Sequence, residues 1–99
     1  MPAHTNARPF RPVSPGEILR QEIEARQLTQ KQLAEEIRRP YQAVNEIIRG
    51  RKQITAATAL ALSAALGTSA EFWMNLETNY RLDLARRELR RGKRSKSAA

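Results

Sequence analysis

Residues 29–50 read TQKQLAEEIRRPYQAVNEIIRG and contain the start and end signals of two consecutive helices. Thr29 and Gln32 have the spacing of a capping box, which predicts that a helix begins there. The residue before Pro40 is sterically disfavoured in helical geometry, so this helix ends and another begins at Pro40. Gly50 is placed to end the second helix in a left-handed cap. The stretch therefore predicts two short helices joined by a tight turn.

The apolar residues of these two helices have the spacing needed to pack one helix on the other. Val44 and Ile47 recur at helical spacing and are predicted to pack onto Leu33 and Ile37. Ala34 is small where the two helices are expected to cross. Two short helices packed across a tight turn form a helix-turn-helix motif, whose second helix can enter the major groove of DNA.

The second helix of the motif presents polar side chains opposite its apolar face. In the major groove, Gln and Asn can pair with adenine, Glu can accept from cytosine, and Arg can bind guanine or a phosphate. Gln30, at the start of the first helix of the motif, suits a phosphate contact. The DNA-binding candidates are therefore Gln30, the outward residues Tyr41, Gln42, Asn45, Glu46 and Arg49, and a basic rim of Arg38, Arg39, Arg49, Arg51 and Lys52.

Paired helices with a tight turn also occur as plain core packing in small bundles. The polar outer face and the basic rim favour DNA binding, because Glu46 is the only acidic residue between residues 38 and 52. A module that binds only other proteins, with the motif as its scaffold, is the alternative from a different class of function.

The rest of the chain predicts three further helices and no strand, so the expected fold is all-α, a compact domain of five helices. Ser14, Pro15 and Glu17 mark the start of the first helix, which is predicted to run to about Gln27. The fourth helix follows Thr55 and reads AATALALSAAL. Because it is apolar nearly all round, we expect it to be central and buried.

The fifth helix is predicted to be an extended C-terminal helix from about Ala70 to about Arg90, opened by a capping box of Thr68 and Glu71. Its inward stripe is predicted to consist of Phe72, Trp73, Leu76, Tyr80 and Leu84.

The positive charge of the chain is concentrated at its C-terminal end. The net charge is +8, and residues 86–96 account for +6 of it with seven Arg or Lys and one Glu. We predict a flexible N-terminal arm over residues 1–13, a helix-turn-helix domain over residues 14–90 and a basic disordered tail over residues 91–99. A basic tail attracts any polyanion, so by itself it does not single out DNA.

Composition argues against several other classes of function. The chain has no cysteine, hence no disulfide framework, and no apolar run of about 18–20 residues such as a membrane helix needs. His4 is the only histidine, and the adjacent Glu35 and Glu36 would point in different directions on a helix. We therefore predict no enzyme activity and no catalytic, metal or cofactor site. Without a signal peptide, the expected location is the cytoplasm, with nucleoid association when the protein is bound to DNA.

Several segments resemble one family. They are Pro15-Gly16-Glu17, the run from Asn45 to Gly50, Ile54-Thr55, Thr58-Ala59-Leu60, and Gly67-Thr68-Ser69 followed by Glu71-Phe72-Trp73 and Asn75-Leu76. Over residues 14–85 the chain resembles the HigA/VapI-type antitoxins, which are phage-repressor-like helix-turn-helix proteins.

This resemblance implies a fold, a task and partners. The fold is a compact helical domain that forms a homodimer largely through its C-terminal helices. The task is to neutralise a HigB-type toxin, an RNA-cleaving protein of the RelE-like class, and to repress its own operon at a palindromic operator, alone or with the toxin. The family's base-reading surface corresponds by position to Tyr41, Gln42, Ala43 and Asn45, with Glu46 nearby. A stand-alone repressor without a toxin is the alternative.

The chain departs from this family at two places in the motif. Many relatives have Gly at the position of Arg38, where a left-handed backbone costs a residue with a side chain about 1 kcal/mol. Either the turn differs here, or Arg38 tolerates the strain and contacts a phosphate. Relatives also carry basic residues where this chain has Tyr41, Gln42 and Ala43, so base preference cannot be transferred from them.

A second apolar strip lies on the fifth helix, on a different side from its inward stripe. It consists of Leu82, Ala85 and Leu89. We expect it to form the dimer interface, because this motif normally reads an operator with two-fold symmetry. A groove for the toxin and a strip exposed without function are the other interpretations.

Overall fold

The structure is a computed structural model that describes the backbone of residues 12–98 and the side chains of residues 12–92. The described residues form five helices and no strand, which confirms the predicted fold class. The helices are α1 (Pro15–Ala25), α2 (Gln30–Ile37), α3 (Tyr41–Ile48), α4 (Ala56–Leu66) and α5 (Ala70–Ala98). None of them is long and apolar enough to cross a membrane. Residues 1–11 of the predicted arm lie outside the described residues.

Side-chain caps begin α1, α2 and α4, as predicted for α1 and α2. The Ser14 hydroxyl accepts from the Glu17 N–H at 3.3 Å, and the Thr55 hydroxyl opens α4 in the same way. At α2 both halves of the capping box are present. The Thr29 hydroxyl accepts from the Gln32 N–H at 3.0 Å, and the Gln32 side chain accepts from the Thr29 N–H at 2.8 Å.

The cap of α5 differs from the prediction by one residue. The hydroxyl that accepts from the first turn belongs to Ser69, which receives the Phe72 N–H at 2.9 Å. Thr68 is engaged elsewhere, because its hydroxyl accepts from the indole N–H of Trp73 at 2.7 Å. The buried indole N–H needs a partner, and Thr68 supplies it.

Two helix ends also differ slightly from the predictions. α1 ends at Ala25 rather than near Gln27, which has a left-handed backbone with φ 57°. α3 begins at Tyr41, with Pro40 as its extended N-cap. Gly50 has the predicted left-handed conformation, with φ 78°, and follows the end of α3.

One hydrophobic core unites all five helices. The predicted packing of α3 on α2 is confirmed, since Val44 and Ile47 are buried together with Leu33 and Ile37. Trp73 of α5 is the largest fully buried side chain. The complete set of buried apolar residues is Leu19, Ile23, Leu33, Ala34, Ile37, Val44, Ile47, Ile54, Ala59, Leu62, Leu66 and Trp73.

α4 is buried on one side only, although its composition predicted burial all round. Ala59 and Leu62 are fully buried, whereas Leu60 is 64% exposed and Ala64 is also exposed. Most of the exposed residues of α4 are alanines, which expose little apolar surface and favour the helix strongly. An apolar helix composition therefore does not require a central position when alanine supplies most of it.

α5 continues beyond the point where the sequence predicted its end. The prediction was an end near Arg90 and a disordered tail over residues 91–99, but the backbone is helical to Ala98. Extending a helix that is already packed needs no new nucleus, and Arg, Lys and Ala are good helix formers. Gly92 opposes the extension by only about 1 kcal/mol.

Gly16 lies where the start of α1 meets the end of α3. A Cβ atom placed on it would lie 2.1 Å from the carbonyl oxygen of Ile47 and 2.7 Å from that of Ile48. These are backbone atoms, so no change of rotamer can make room. Glycine is required here because α1 and α3 approach each other so closely.

We expect Gly16→Ala to lower the free energy of unfolding by about 3 kcal/mol, because the added methyl group must push α1 away from α3. Urea unfolding followed by circular dichroism measures the change. Gly92→Ala is the matched control, since a Cβ there meets nothing within 4 Å, and it should stabilise by at most about 1 kcal/mol. A Gly16→Ala protein as stable as the wild type would contradict the close approach.

Candidate nucleic-acid interface

The turn between α2 and α3 has a left-handed residue, and that residue is Arg38. Its backbone has φ 58° and ψ 45°. The next residue, Arg39, donates its N–H to the Ala34 carbonyl at 3.0 Å and so closes the end of α2. Of the two possibilities for this position, the turn keeps the left-handed geometry and Arg38 bears its cost of about 1 kcal/mol.

The outer face of α3 carries the predicted base-reading residues at different depths. Tyr41 is 53% exposed, and Gln42 and Arg49 are also exposed. Asn45 and Glu46 are half-buried. The exposed residues therefore stand at both ends of α3, with Tyr41 and Gln42 at the N-terminal end, by which such a helix enters a groove, and Arg49 at its C-cap.

Gln30 and Asn45 are hydrogen-bonded to each other, which the sequence did not predict. The Asn45 side-chain nitrogen donates to the Gln30 side-chain oxygen at 2.9 Å and joins the start of α2 to the middle of α3. Asn45 keeps its oxygen and a second N–H, which together suffice for a paired contact with adenine. The Gln30 nitrogen keeps its donors for a phosphate. The bond therefore orients both amides without using up their capacity to bind DNA.

A shallow groove separates α3 from the start of α4, and we call it the α3–α4 groove. Arg39 lies beside it at the α2–α3 turn, and Lys52 lies beside it in the loop between α3 and α4. The floor is apolar. The residues that line it are Ile37, Arg39, Ala43, Val44, Ile47, Lys52, Gln53, Thr55 and Thr58. Ala43 is half-buried in this lining, so it contributes shape rather than a hydrogen bond.

The basic rim makes no ion pair with the residues that the structure describes. Its members, apart from the half-buried Arg39, are exposed. Within the described part of the chain, the ion pairs lie on α1 and α5 and include none of the rim cations. The rim residues are Arg38, Arg39, Arg49, Arg51 and Lys52. Five cations that have no ion-pair partner within residues 12–92 are grouped around α3 and form a surface suited to phosphates.

The second apolar strip projects from α5 into solvent. Leu82 is 45% exposed and Leu89 is 62% exposed, and Ala85 between them is also exposed. Of the predicted inward stripe, Trp73 is buried and Leu76, Tyr80 and Leu84 are half-buried, but Phe72 is 37% exposed, so its inward position was predicted wrongly. The strip therefore lies away from the domain to which α5 belongs.

The fold and this surface define a member of the helix-turn-helix class, and the family model for helix-turn-helix proteins matches residues 19–73. Virulence-associated protein I of Dichelobacter nodosus is 37% identical over 89 residues, 89% of this chain and 81% of that protein. A HigA-family addiction module antidote protein from Coxiella burnetii is 37% identical with a TM-score of 0.76, and the match covers 87% of this chain and 91% of that one. The chain belongs to the HigA family of helix-turn-helix antitoxins.

A further solved relative carries DNA. The antitoxin HigA of Pseudomonas aeruginosa, whose structure was determined with the higBA promoter, is 36% identical to this chain. Its TM-score is 0.74, and the match covers 90% of this chain and 96% of that one. The similarity therefore extends over nearly the whole of both chains.

We expect Arg38→Gly to raise the free energy of unfolding by about 1 kcal/mol, because glycine adopts the left-handed backbone without strain. Arg38→Ala is the matched control, since it removes the same charge but keeps a Cβ atom. Both variants should bind DNA more weakly, and only the glycine variant should gain stability in urea unfolding. Equal stability of the two variants would contradict the strain, and undiminished DNA affinity would remove Arg38 from the interface.

Proposed function

We propose that this protein is the antitoxin of a toxin–antitoxin pair and that it represses its own operon by sequence-specific binding to a palindromic operator. DNA binding is supported by the polar outer face of α3, which lies within a rim of cations that form no ion pair among the described side chains. The antitoxin function is supported by membership of the HigA family. The expected location is the cytoplasm, with nucleoid association on the operator.

In this proposal α3 lies in the major groove and each group of residues has its own task. Gln42 and Asn45 read base edges by paired hydrogen bonds, and Tyr41 and Ala43 supply apolar contacts. The rim cations and Gln30 bind phosphates on both sides of the groove and fix the position of α3. Glu46, being half-buried and acidic, favours a cytosine amino group over a phosphate as its neighbour.

We further propose that two copies pair through the Leu82, Ala85 and Leu89 strip. A palindromic operator presents two half-sites related by a two-fold axis, and a symmetric dimer matches that symmetry. Exposed leucines on one face of a helix are the kind of surface that a second copy covers.

The toxin partner follows from membership of the family. We propose an RNA-cleaving toxin of the HigB type, encoded next to this protein. A stand-alone repressor would use the same DNA surface, so only a toxin-binding measurement separates the two functions.

Gln42 and Asn45 are the side chains whose removal tests the proposed reading of operator bases. The wild-type protein should form a discrete complex with its own upstream DNA at about 150 mM salt in the presence of excess nonspecific competitor. Gln42→Ala combined with Asn45→Ala should lower that affinity by about 100-fold, because two paired base contacts are lost. Binding to the competitor should fall much less, because the rim cations that bind phosphates remain. A gel-shift titration measures both affinities.

Asn79→Ala provides the matched control, since it removes an exposed amide from α5. An unchanged operator affinity in the double variant would mean that the assigned base-reading face is incorrect. A wild-type complex that the competitor removes completely would contradict sequence-specific repression itself.

Leu82 and Leu89 are the strip residues whose substitution tests the proposed dimer interface. Leu82→Asp with Leu89→Asp should give a folded monomer in sedimentation, because two charged groups would otherwise be buried at the interface. Operator affinity should fall at least tenfold, since one monomer binds one half-site. The variant should still capture the toxin in co-purification. Leu60→Asp is the control, because Leu60 is exposed on α4, outside the strip.

Two other results would each change the assignment of the strip. A variant that stays dimeric but loses the toxin would make the strip a toxin groove. A variant that keeps both partners would place the two interfaces elsewhere. A wild-type protein that captures no product of a neighbouring reading frame would favour the stand-alone repressor.

A further inference from the structure

We propose that Glu77 of α5 is a positioning residue for DNA binding, because it holds in place the loop that contributes Arg51 and Lys52 to the basic rim. Glu77 makes no contribution to the rim itself. It acts through the backbone of Ile54, the residue before the N-cap of α4. This proposal rests on the proposed DNA-binding function and assigns it a residue on another helix.

The surroundings of Glu77 explain why a carboxylate is tolerated there. Glu77 is only 5% exposed, and both of its carboxylate oxygens accept hydrogen bonds. Oε1 accepts from the Ile54 N–H at 3.0 Å, and Oε2 accepts from the Arg81 Nε at 2.6 Å. A buried carboxylate is costly unless it is paired and hydrogen-bonded, and here it is both.

The loop between α3 and α4 is held at its two ends. At its start, the Arg51 N–H donates to the Glu46 carbonyl at 2.8 Å. At its end, the N–H of the buried Ile54 donates to Glu77. Lys52 and Gln53, which lie between these two bonds, are exposed, as is Arg51. The Glu77 bond therefore determines where the C-terminal part of this exposed segment lies.

The segment fixed in this way belongs to the proposed DNA surface. Lys52 and Gln53 line the α3–α4 groove together with Arg39. If Glu77 is removed, the Ile54 N–H loses its acceptor and the loop can leave the groove. The distance between Lys52 and Arg39 is then no longer fixed. A DNA phosphate bound jointly by these two side chains loses the contact with Lys52. α3 itself is unchanged, so base reading persists.

The salt dependence of operator binding tests this directly, because its slope counts phosphate contacts and falls by about 0.9 for each one lost. Glu77→Leu keeps the size of the side chain without an acceptor. It should lower operator affinity about tenfold and reduce the slope by about 0.9. Glu77→Gln keeps an acceptor for Ile54 and should stay within about threefold of the wild type, with its slope unchanged.

Two further variants separate positioning from a merely structural role. Arg81→Ala removes the ion pair but leaves the Ile54 bond, so the slope should stay as in the wild type. Lys52→Ala should lower the slope by about 0.9 on its own, and it should add nothing in the Glu77→Leu background. Each variant is checked for folding by its thermal melt. If Glu77→Leu does not fold, Glu77→Asp takes its place, because the shorter carboxylate cannot reach the Ile54 N–H.

The measurements distinguish a positioning role of Glu77 from a purely structural one. Additive effects of Lys52→Ala and Glu77→Leu, or a lower melting temperature with an unchanged slope, would make Glu77 structural and overturn the proposal. A shallower slope in Arg81→Ala would mean that the charge, not the Ile54 bond, is what matters. A wild-type protein without a discrete operator complex would instead overturn the proposed function, which is a different result.

Discussion

α3 has only eight residues, and a helix of that length is not stable alone in water, where about 12–15 residues are the minimum even for favourable sequences. Its existence depends on burying Val44 and Ile47 against α2. α2 also has eight residues and depends on the same contact. The two helices therefore form together or not at all. This mutual burial leaves the opposite face of α3 free to carry polar residues.

The surroundings of α3 fix its position at several independent points. Arg38 sets the direction of the chain as it enters α3, and Gly16 brings α1 against the carbonyl groups at its end. The Gln30–Asn45 hydrogen bond ties its outer face to α2. A site whose side chains must match base edges needs this rigidity, because small displacements break paired hydrogen bonds. The strain at Arg38 is thus offset by the packing around it.

Local patterns predicted the motif well because its information is local. The capping box at Thr29 and the spacing of Val44 and Ile47 involve residues within one turn of each other. Composition was a poorer guide. The apolar sequence of α4 predicted burial, yet Leu60 is exposed. The polar and small residues 91–99 predicted disorder, yet the backbone is helical to Ala98. The contacts of Gly16 and Glu77 join residues more than twenty positions apart in the chain. The sequence around Gly16 or Glu77 contains no pattern that predicts these distant contacts.

α5 connects the two proposed binding surfaces. Its inner side closes the core through Trp73, and its outer side carries the strip with Leu82 and Leu89. Because one core joins α5 to α3, pairing of two strips would fix the distance between two copies of α3. Successive major grooves on one face of DNA lie about 34–36 Å apart. The half-site spacing that the proposed dimer accepts is therefore determined by the geometry of α5 pairing, whereas the bases that it prefers are determined by α3. The two properties reside on different helices, so each can change without the other.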